Sequence, residues 1–161
     1  MLTAVDFISL KEFEAVQVAP DMAAISIGDP GDGPPRGLSR FQRGLRLHFL
    51  DIEPQDVATP DAPGLFKLSQ AREVADFVTC LHSAPTRFRL VTHCLMGASR
   101  SAAVALFVHV LTGCEFPRRQ DAHYANVHVV RLAEEVCGRP IEIPAFFKTY
   151  PHEYLPASLQ I

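Results

Sequence analysis

The chain has no strong excess of either charge. Fifteen Lys and Arg against 18 Asp and Glu leave a formal net charge of −3. That balance gives no electrostatic basis for nucleic acid or an anionic membrane as a partner. Long apolar runs are also missing: the longest, Ser101 to Leu111, is too short to span a bilayer and suits a buried helix. Met1-Leu2-Thr3-Ala4-Val5-Asp6 lacks a basic segment followed by an apolar one, so no signal peptide is expected. Cysteine is scarce, with four residues, Cys80, Cys94, Cys114 and Cys137, widely spaced and forming no Cys-x-x-Cys pair. This argues against a zinc site and against a disulfide framework. Reduced thiols imply a reducing compartment, and the cytoplasm is expected. Cys80, Cys114 and Cys137 lie in or beside apolar helical patterns and are expected to be packing residues. His123 and His128 share a helical face poorly, so neither a metal nor a cofactor is expected. Repeats, low-complexity tracts and long linkers are absent.

What remains is a chain of 161 residues, enough for one domain spanning 1–161 with its own core. Ala4 to Ile8 reads as a strand, and Ser9 with Glu12 forms a capping-box pattern ahead of a helix to about Val16. Met22 to Ile27 is a compact apolar run, ended by Gly28-Asp29-Pro30, that predicts a buried strand. The segment 31–37 is dense in Gly and Pro and predicts a loop. Leu45, Leu47 and Phe49 alternate with Arg46 and His48 in a strand pattern stopping at Leu50-Asp51, and Glu53 to Pro63 reads as a second long loop. Ser69 is placed to cap a helix to about His82, with Val74, Phe77, Val78 and Leu81 on one face. Phe88 to Thr92 predicts another strand. Helices follow over 101–112 and from about Asp121 to Val136, with one short helix near Ala145 to Tyr150. Strands alternating with helices predict a single α/β domain with a mainly parallel sheet flanked by helices. In such sheets ligands bind beyond the carboxyl ends of the strands.

At one such end lies His93-Cys94-Leu95-Met96-Gly97-Ala98-Ser99-Arg100-Ser101. A helix start offers unpaired N–H groups and a positive dipole end, and both lower the pKa of a thiol placed there. Arg100 supplies a planar fork matched to two phosphate oxygens. Gly97 permits a tight turn whose amides form an anion nest. Together these suit thiolate attack on a bound phosphate ester.

The run resembles the signature loop of the cysteine-dependent protein tyrosine and dual-specificity phosphatases: His-Cys, five residues, Arg, then Ser or Thr. The resemblance implies a phosphatase-like domain of the dual-specificity type that hydrolyses phosphate monoesters through a cysteinyl-phosphate intermediate. Cys94 takes the nucleophile position and Arg100 the phosphate-clamping position. Ser101 takes the position of the hydroxyl that steadies the leaving thiolate. Leu95, Met96, Gly97, Ala98, Ser99 and Arg100 would cradle the phosphate, with His93 in support behind the nucleophile. Ser99 is expected to contribute its amide rather than its hydroxyl. Ile25-Ser26-Ile27 before Gly28-Asp29-Pro30, the stretch Leu45 to Ile52, Ser101 to Ala105 and the Ala125-Asn126 pair also resemble a bacterial branch of the tyrosine phosphatases, in which the Ala-Asn pair lies within a helix.

The family also uses an aspartic acid to protonate the leaving oxygen, and three are candidates here: Asp51, Asp56 and Asp61. Asp51 ends a strand that should finish beside that of Cys94. Asp61 fits the family's usual spacing better, and Asp56 lies on the same Pro-containing loop. Asp29 and Arg36 are read as surface loop residues that could rim the site, and Arg118-Arg119 as a solvated helix start.

The family's phosphoinositide phosphatases tend to carry lysines within the loop, whereas Leu95, Met96 and Ala98 are uncharged. A phosphorylated protein (phosphotyrosine above all) or a small phosphomonoester therefore fits better than a highly anionic inositol. Two other readings stay open: a catalytically weak phosphopeptide-binding module, and a rhodanese-like sulfurtransferase forming a persulfide on Cys94.

Overall fold

The computed structural model describes residues 1–56 and 62–146. Strand β1 (Leu2–Ser9) runs into helix α1 (Leu10–Ala15) through the expected capping box: Ser9 Oγ accepts from the Glu12 N–H at 3.2 Å, and Glu12 returns a carboxylate oxygen to the Ser9 N–H at 2.8 Å. Strands β2 (Met22–Gly28) and β3 (Arg43–His48) follow, then α2 (Leu68–Ser83), β4 (Phe88–Cys94), α3 (Arg100–Thr112) and α4 (Val127–Cys137). The four strands form one all-parallel sheet in the order β1-β4-β2-β3. This is a single α/β domain, with helices on both faces of its sheet.

The sheet topology positions everything that follows. β4 lies between β1 and β2, with Ser9 opposite Cys94 and Ser26 opposite His93. Cys94 therefore sits at the carboxyl end of a central strand, where the chain on either side departs in different directions. Side chains alternate across the sheet. Val5, Phe7, Ile25, Ile27, Leu47 and Leu90 enter the large core beneath α2, α3 and α4. Ala24 and Val91 face the other way, onto Phe13 of α1 and Phe41. The first nine residues of α3 are all buried, so this helix is enclosed on every side and carries no amphipathic stripe. Each fully buried side chain of Leu or Phe size in it stabilises the fold by about 1.5–3 kcal/mol. No helix among the described residues is long and apolar enough to cross a membrane.

Five expectations of the fold need correction. β3 stops at His48 and pairs with β2 alone, so Asp51 does not end a strand beside that of Cys94. Ser69 is not the cap of α2, which begins a residue earlier; Gln70 folds its side-chain carbonyl back onto the Lys67 N–H at 3.0 Å instead. The helix expected from Asp121 to Val136 is two elements, a 3-10 turn over Arg119–Tyr124 and then α4. Asn126 divides them, because its Oδ1 accepts from the Val129 N–H at 2.9 Å and so begins a new helix rather than continuing one. Cys80 is exposed on α2, since Val74, Val78 and Leu81 define the buried face and position 80 turns away from it. Arg118 is more than a solvated helix start: it pairs with Asp121 at 2.9 Å and Asp6 at 3.6 Å, donates to the Phe7 carbonyl, and lies over the Phe7 ring. The short helix expected near Ala145 to Tyr150 falls mostly outside the described residues.

Candidate active site

The loop from Leu95 to Ser99 joins β4 to α3, and its turn depends on Gly97. Gly97 has φ +67°, and a Cβ there would lie 2.3 Å from the Ser9 nitrogen and 2.4 Å from the Ile8 carbonyl carbon. Only glycine meets both demands. The close approach lets the Leu10 N–H reach the Leu95 carbonyl at 3.2 Å, which ties the loop to the start of α1.

Cys94 is 2% exposed. Its Sγ lies 3.2 Å from Ser101 Oγ and accepts from the Gly97 N–H at 3.3 Å. Burial pushes the thiol pKa up. The Ser101 hydroxyl, with hydrogen bonds from the backbone of Ser101, Gly97 and Ala98, more than offsets this, and the thiol is held below its ordinary value. The thiol and the hydroxyl expected to steady it are thus in contact.

Arg100 is 5% exposed, and its Nη1 donates to Asp29 Oδ1 and to the Phe49 carbonyl, both at 2.6 Å. Those two bonds use both hydrogens of Nη1. Nε is buried without a partner, and Nη2 makes no hydrogen bond among the described residues. One edge of the guanidinium is therefore anchored and the Nε–Nη2 edge is left over, which is the edge geometry of a bidentate anion contact. Asp29 does not stand apart as a surface residue: the strand-to-loop turn after β2 brings it onto Arg100. Arg36 binds Glu14 through its backbone N–H and does not line the cleft beside the loop.

That cleft encloses ≈ 420 Å³ and is lined by Leu10, Asp29, Arg46, His93, Leu95 and Arg100, among others. Leu95 and Met96 are exposed on the loop, Met96 by 77%. Asp51 is brought to the same loop, where its Oδ1 accepts from the Ser99 hydroxyl at 2.7 Å and from Asn126 Nδ2 at 3.0 Å. The Ser99 side chain is therefore engaged, contrary to the expectation that only its amide matters. Asp56 is not brought to the loop by any hydrogen bond. Its carboxylate closes its own 3-10 turn by accepting from the Glu53 N–H at 2.8 Å. Asp61 lies outside the described residues. His128 binds the Phe66 carbonyl, and no group of three or more His, Cys, Asp or Glu among the described residues is placed to hold a metal ion.

His93 is 1% exposed, stacked at 3.9 Å on the Phe13 ring and bonded through Nε2 to Ser26 Oγ at 2.7 Å. Its pKa falls from 6.5 to about 4: burial is the main cause, the Cys94 backbone opposes it, and Arg46 and Arg100 add to the depression. Since the folded value lies below the unfolded one, only the unfolded chain takes up this proton as pH drops from 6.5 to about 4. The contribution to stability is whole above pH 6.5. About 3 kcal/mol is expected to be lost across that window and to level off below it. Thermal melts between pH 7 and 4 check this, because a His93→Gln variant should show a shallower decline than the parent.

Ser26, Arg46 and Asn126 belong to the site although the sequence assigns none of them a role, and Asp29, read there as a surface residue that could rim the site, is the partner of Arg100. Only the alternation in β3 hinted at Arg46, as a residue on the opposite face from Leu45 and Leu47. No protein-family model matches the chain, and no curated protein matches it. Fold and site together define a parallel α/β domain with a buried, acidified thiol and a half-anchored arginine on one loop at the carboxyl end of its sheet.

Proposed function

We propose that the protein is a cysteine-dependent phosphatase, of the tyrosine and dual-specificity type, acting on phosphate monoesters. The observation carrying this reading is the pairing of a thiol held below its ordinary pKa with an arginine whose Nε and Nη2 make no hydrogen bond among the described residues, on one glycine-turned loop. The Cys94 thiolate attacks phosphorus and the ester oxygen departs with a proton from Asp51, leaving a cysteinyl phosphate. Water then attacks that phosphorus, Asp51 takes its proton, and inorganic phosphate leaves as the thiolate returns to the Ser101 hydroxyl. Loop amides and Arg100 stabilise the equatorial oxygens in both steps. The scheme uses no metal.

Asp51 is preferred as the acid because Ser99 and Asn126 both hold its Oδ1, so that Oδ2 is the oxygen left to carry the proton. The cleft carries Asp29 and Asp32 as well as its two arginines, which together with uncharged Leu95, Met96 and Ala98 favours a singly phosphorylated substrate such as phosphotyrosine over a polyanion. Asp51→Asn is expected to lower kcat by about 10²–10³-fold with KM little changed, and to penalise alkyl phosphates more than nitrophenyl phosphate. An unchanged kcat would move the acid elsewhere, with Asp61 next in line. Tight phosphopeptide binding without any hydrolysis by the parent would favour a binding module. A persulfide on Cys94 after thiosulfate would favour sulfur transfer.

A further inference from the structure

Beside the nucleophile runs a chain of polar groups, buried at His93 and Ser26 and half-buried at Arg46, that takes no part in the proposed bond-making steps. Arg46, on β3, donates from Nη1 to Ser26 Oγ at 2.7 Å, and Ser26, on β2, meets His93 Nε2 at 2.7 Å. Three adjacent strands thus contribute one residue each, all on the sheet face opposite the main core. Arg46 also donates from Nη2 to the Gly33 carbonyl, and its Nε lies 3.3 Å from His48 Nε2, which in turn lies 3.0 Å from the Asp32 carbonyl. Gly28 permits this placement, because a Cβ there would lie 2.1 Å from Arg46 Nη2.

The direction of each bond follows from donor chemistry. An arginine can only donate, so Ser26 Oγ accepts from Arg46. Ser26 is fully buried, and its hydroxyl proton has no other acceptor among the described residues than His93 Nε2. Leaving that proton unpaired is the costly alternative. Nε2 must then be the bare nitrogen, and the ring proton sits on Nδ1. Nδ1 is buried and makes no hydrogen bond among the described residues, and the Cys94 backbone is the one neighbour that favours a protonated ring. In the opposite tautomer Ser26 would receive two donors and its own proton would be left without an acceptor.

We propose that Arg46 and Ser26 are positioning residues that lock His93 as its Nδ1–H tautomer, and that this tautomer holds the first peptide of the loop so that the Gly97 and Ala98 amides meet Cys94 Sγ. The charges facing this chain are few. Arg46 comes from β3 and Arg100 from α3 with its Asp29 partner. Asp32 stands on the loop after β2, and Asp51 is reached through Ser99. From α1 the neighbour of His93 is the uncharged Phe13 ring. Arg46 thus adds a cation beside His93 without touching the thiol.

The test reads the histidine ring directly, by long-range proton–nitrogen NMR on the full chain, with the His93 signals assigned from their loss in His93→Gln. In the parent at pH 7, a protonated Nδ1 and a bare Nε2 are expected, and an Nε2–H ring overturns the proposal without recourse to any variant. In Arg46→Met and Ser26→Ala the Nδ1–H preference should be lost; folded variants that keep it overturn the relay, even where Cys94 reactivity drops. Alkylation of Cys94 by iodoacetamide at pH 6, followed by peptide mass, should slow about tenfold in Arg46→Met and return to within about threefold of the parent in Arg46→Lys, which retains a donor. An alkylation rate in folded Arg46→Met equal to the parent's would overturn the link to the thiol. The inference builds on the proposed thiolate chemistry, but neither readout involves phosphate ester turnover. A chain with the expected tautomer and no hydrolysis would sink the phosphatase reading alone.

Discussion

Replacing Cys94 by serine is expected to lower turnover of nitrophenyl phosphate by at least about 10⁴-fold while leaving vanadate binding and the melting temperature close to those of the parent. The size of the effect follows from the site's electrostatics. The Ser101 hydroxyl and the loop amides bring a thiol below its ordinary pKa against the pull of burial. The same donors cannot ionise an alcohol near neutral pH, so the variant keeps the cradle and loses the nucleophile. The fold should tolerate the change, since the new hydroxyl has Ser101 Oγ and the Gly97 N–H within reach. Rapid acid quench of the parent should yield phosphate on Cys94, and the variant should yield none. Hydrolysis by Cys94→Ser at a rate within tenfold of the parent would end the proposal of a cysteinyl intermediate.

Arg100→Lys is expected to cost about 10³-fold in kcat/KM, or about 4 kcal/mol of transition-state stabilisation, although the charge is kept. Lysine offers a single nitrogen where arginine offers three. In the parent, Nη1 is consumed by Asp29 and the Phe49 carbonyl, which frees Nε and Nη2 to act as a fork. An ammonium near the same place would satisfy either the anchor or the phosphate, and not both. Measured side by side, Asp29→Asn should give a smaller loss than Arg100→Lys, because the Phe49 carbonyl still holds Nη1. If Arg100→Lys retains more than a tenth of the parent's kcat/KM, charge alone suffices and the fork has no role.

Much of this was legible in the residues. The order of elements, the capping box at Ser9, and the strand-turn-helix setting of Cys94 and Arg100 follow from local rules: apolar alternation, turn glycines and a nucleophile at a helix start. Those rules weakened where two local signals competed. Asn126 stands inside an apolar-periodic stretch that predicts a helix, but its side chain serves Val129 as a cap and breaks the helix in two. Cys80 lies within an apolar helical pattern but off the face formed by Val74, Val78 and Leu81, and so it is exposed.

By itself the sequence determined that this is a parallel α/β chain with one thiol-and-arginine loop, because both rest on residues close together in the chain. Only the tertiary structure decided which distant residues complete that loop. Asp29 was brought onto Arg100, Asn126 and Ser99 onto Asp51, and Arg46 onto Ser26 behind His93. Each of these contacts joins residues far apart in the chain, and the Arg46–Ser26–His93 chain follows the strand order β4-β2-β3. The physical reason is that hydrogen bonds and charge pairing act over a few ångströms of space, and separation along the chain carries no record of which strands will lie side by side.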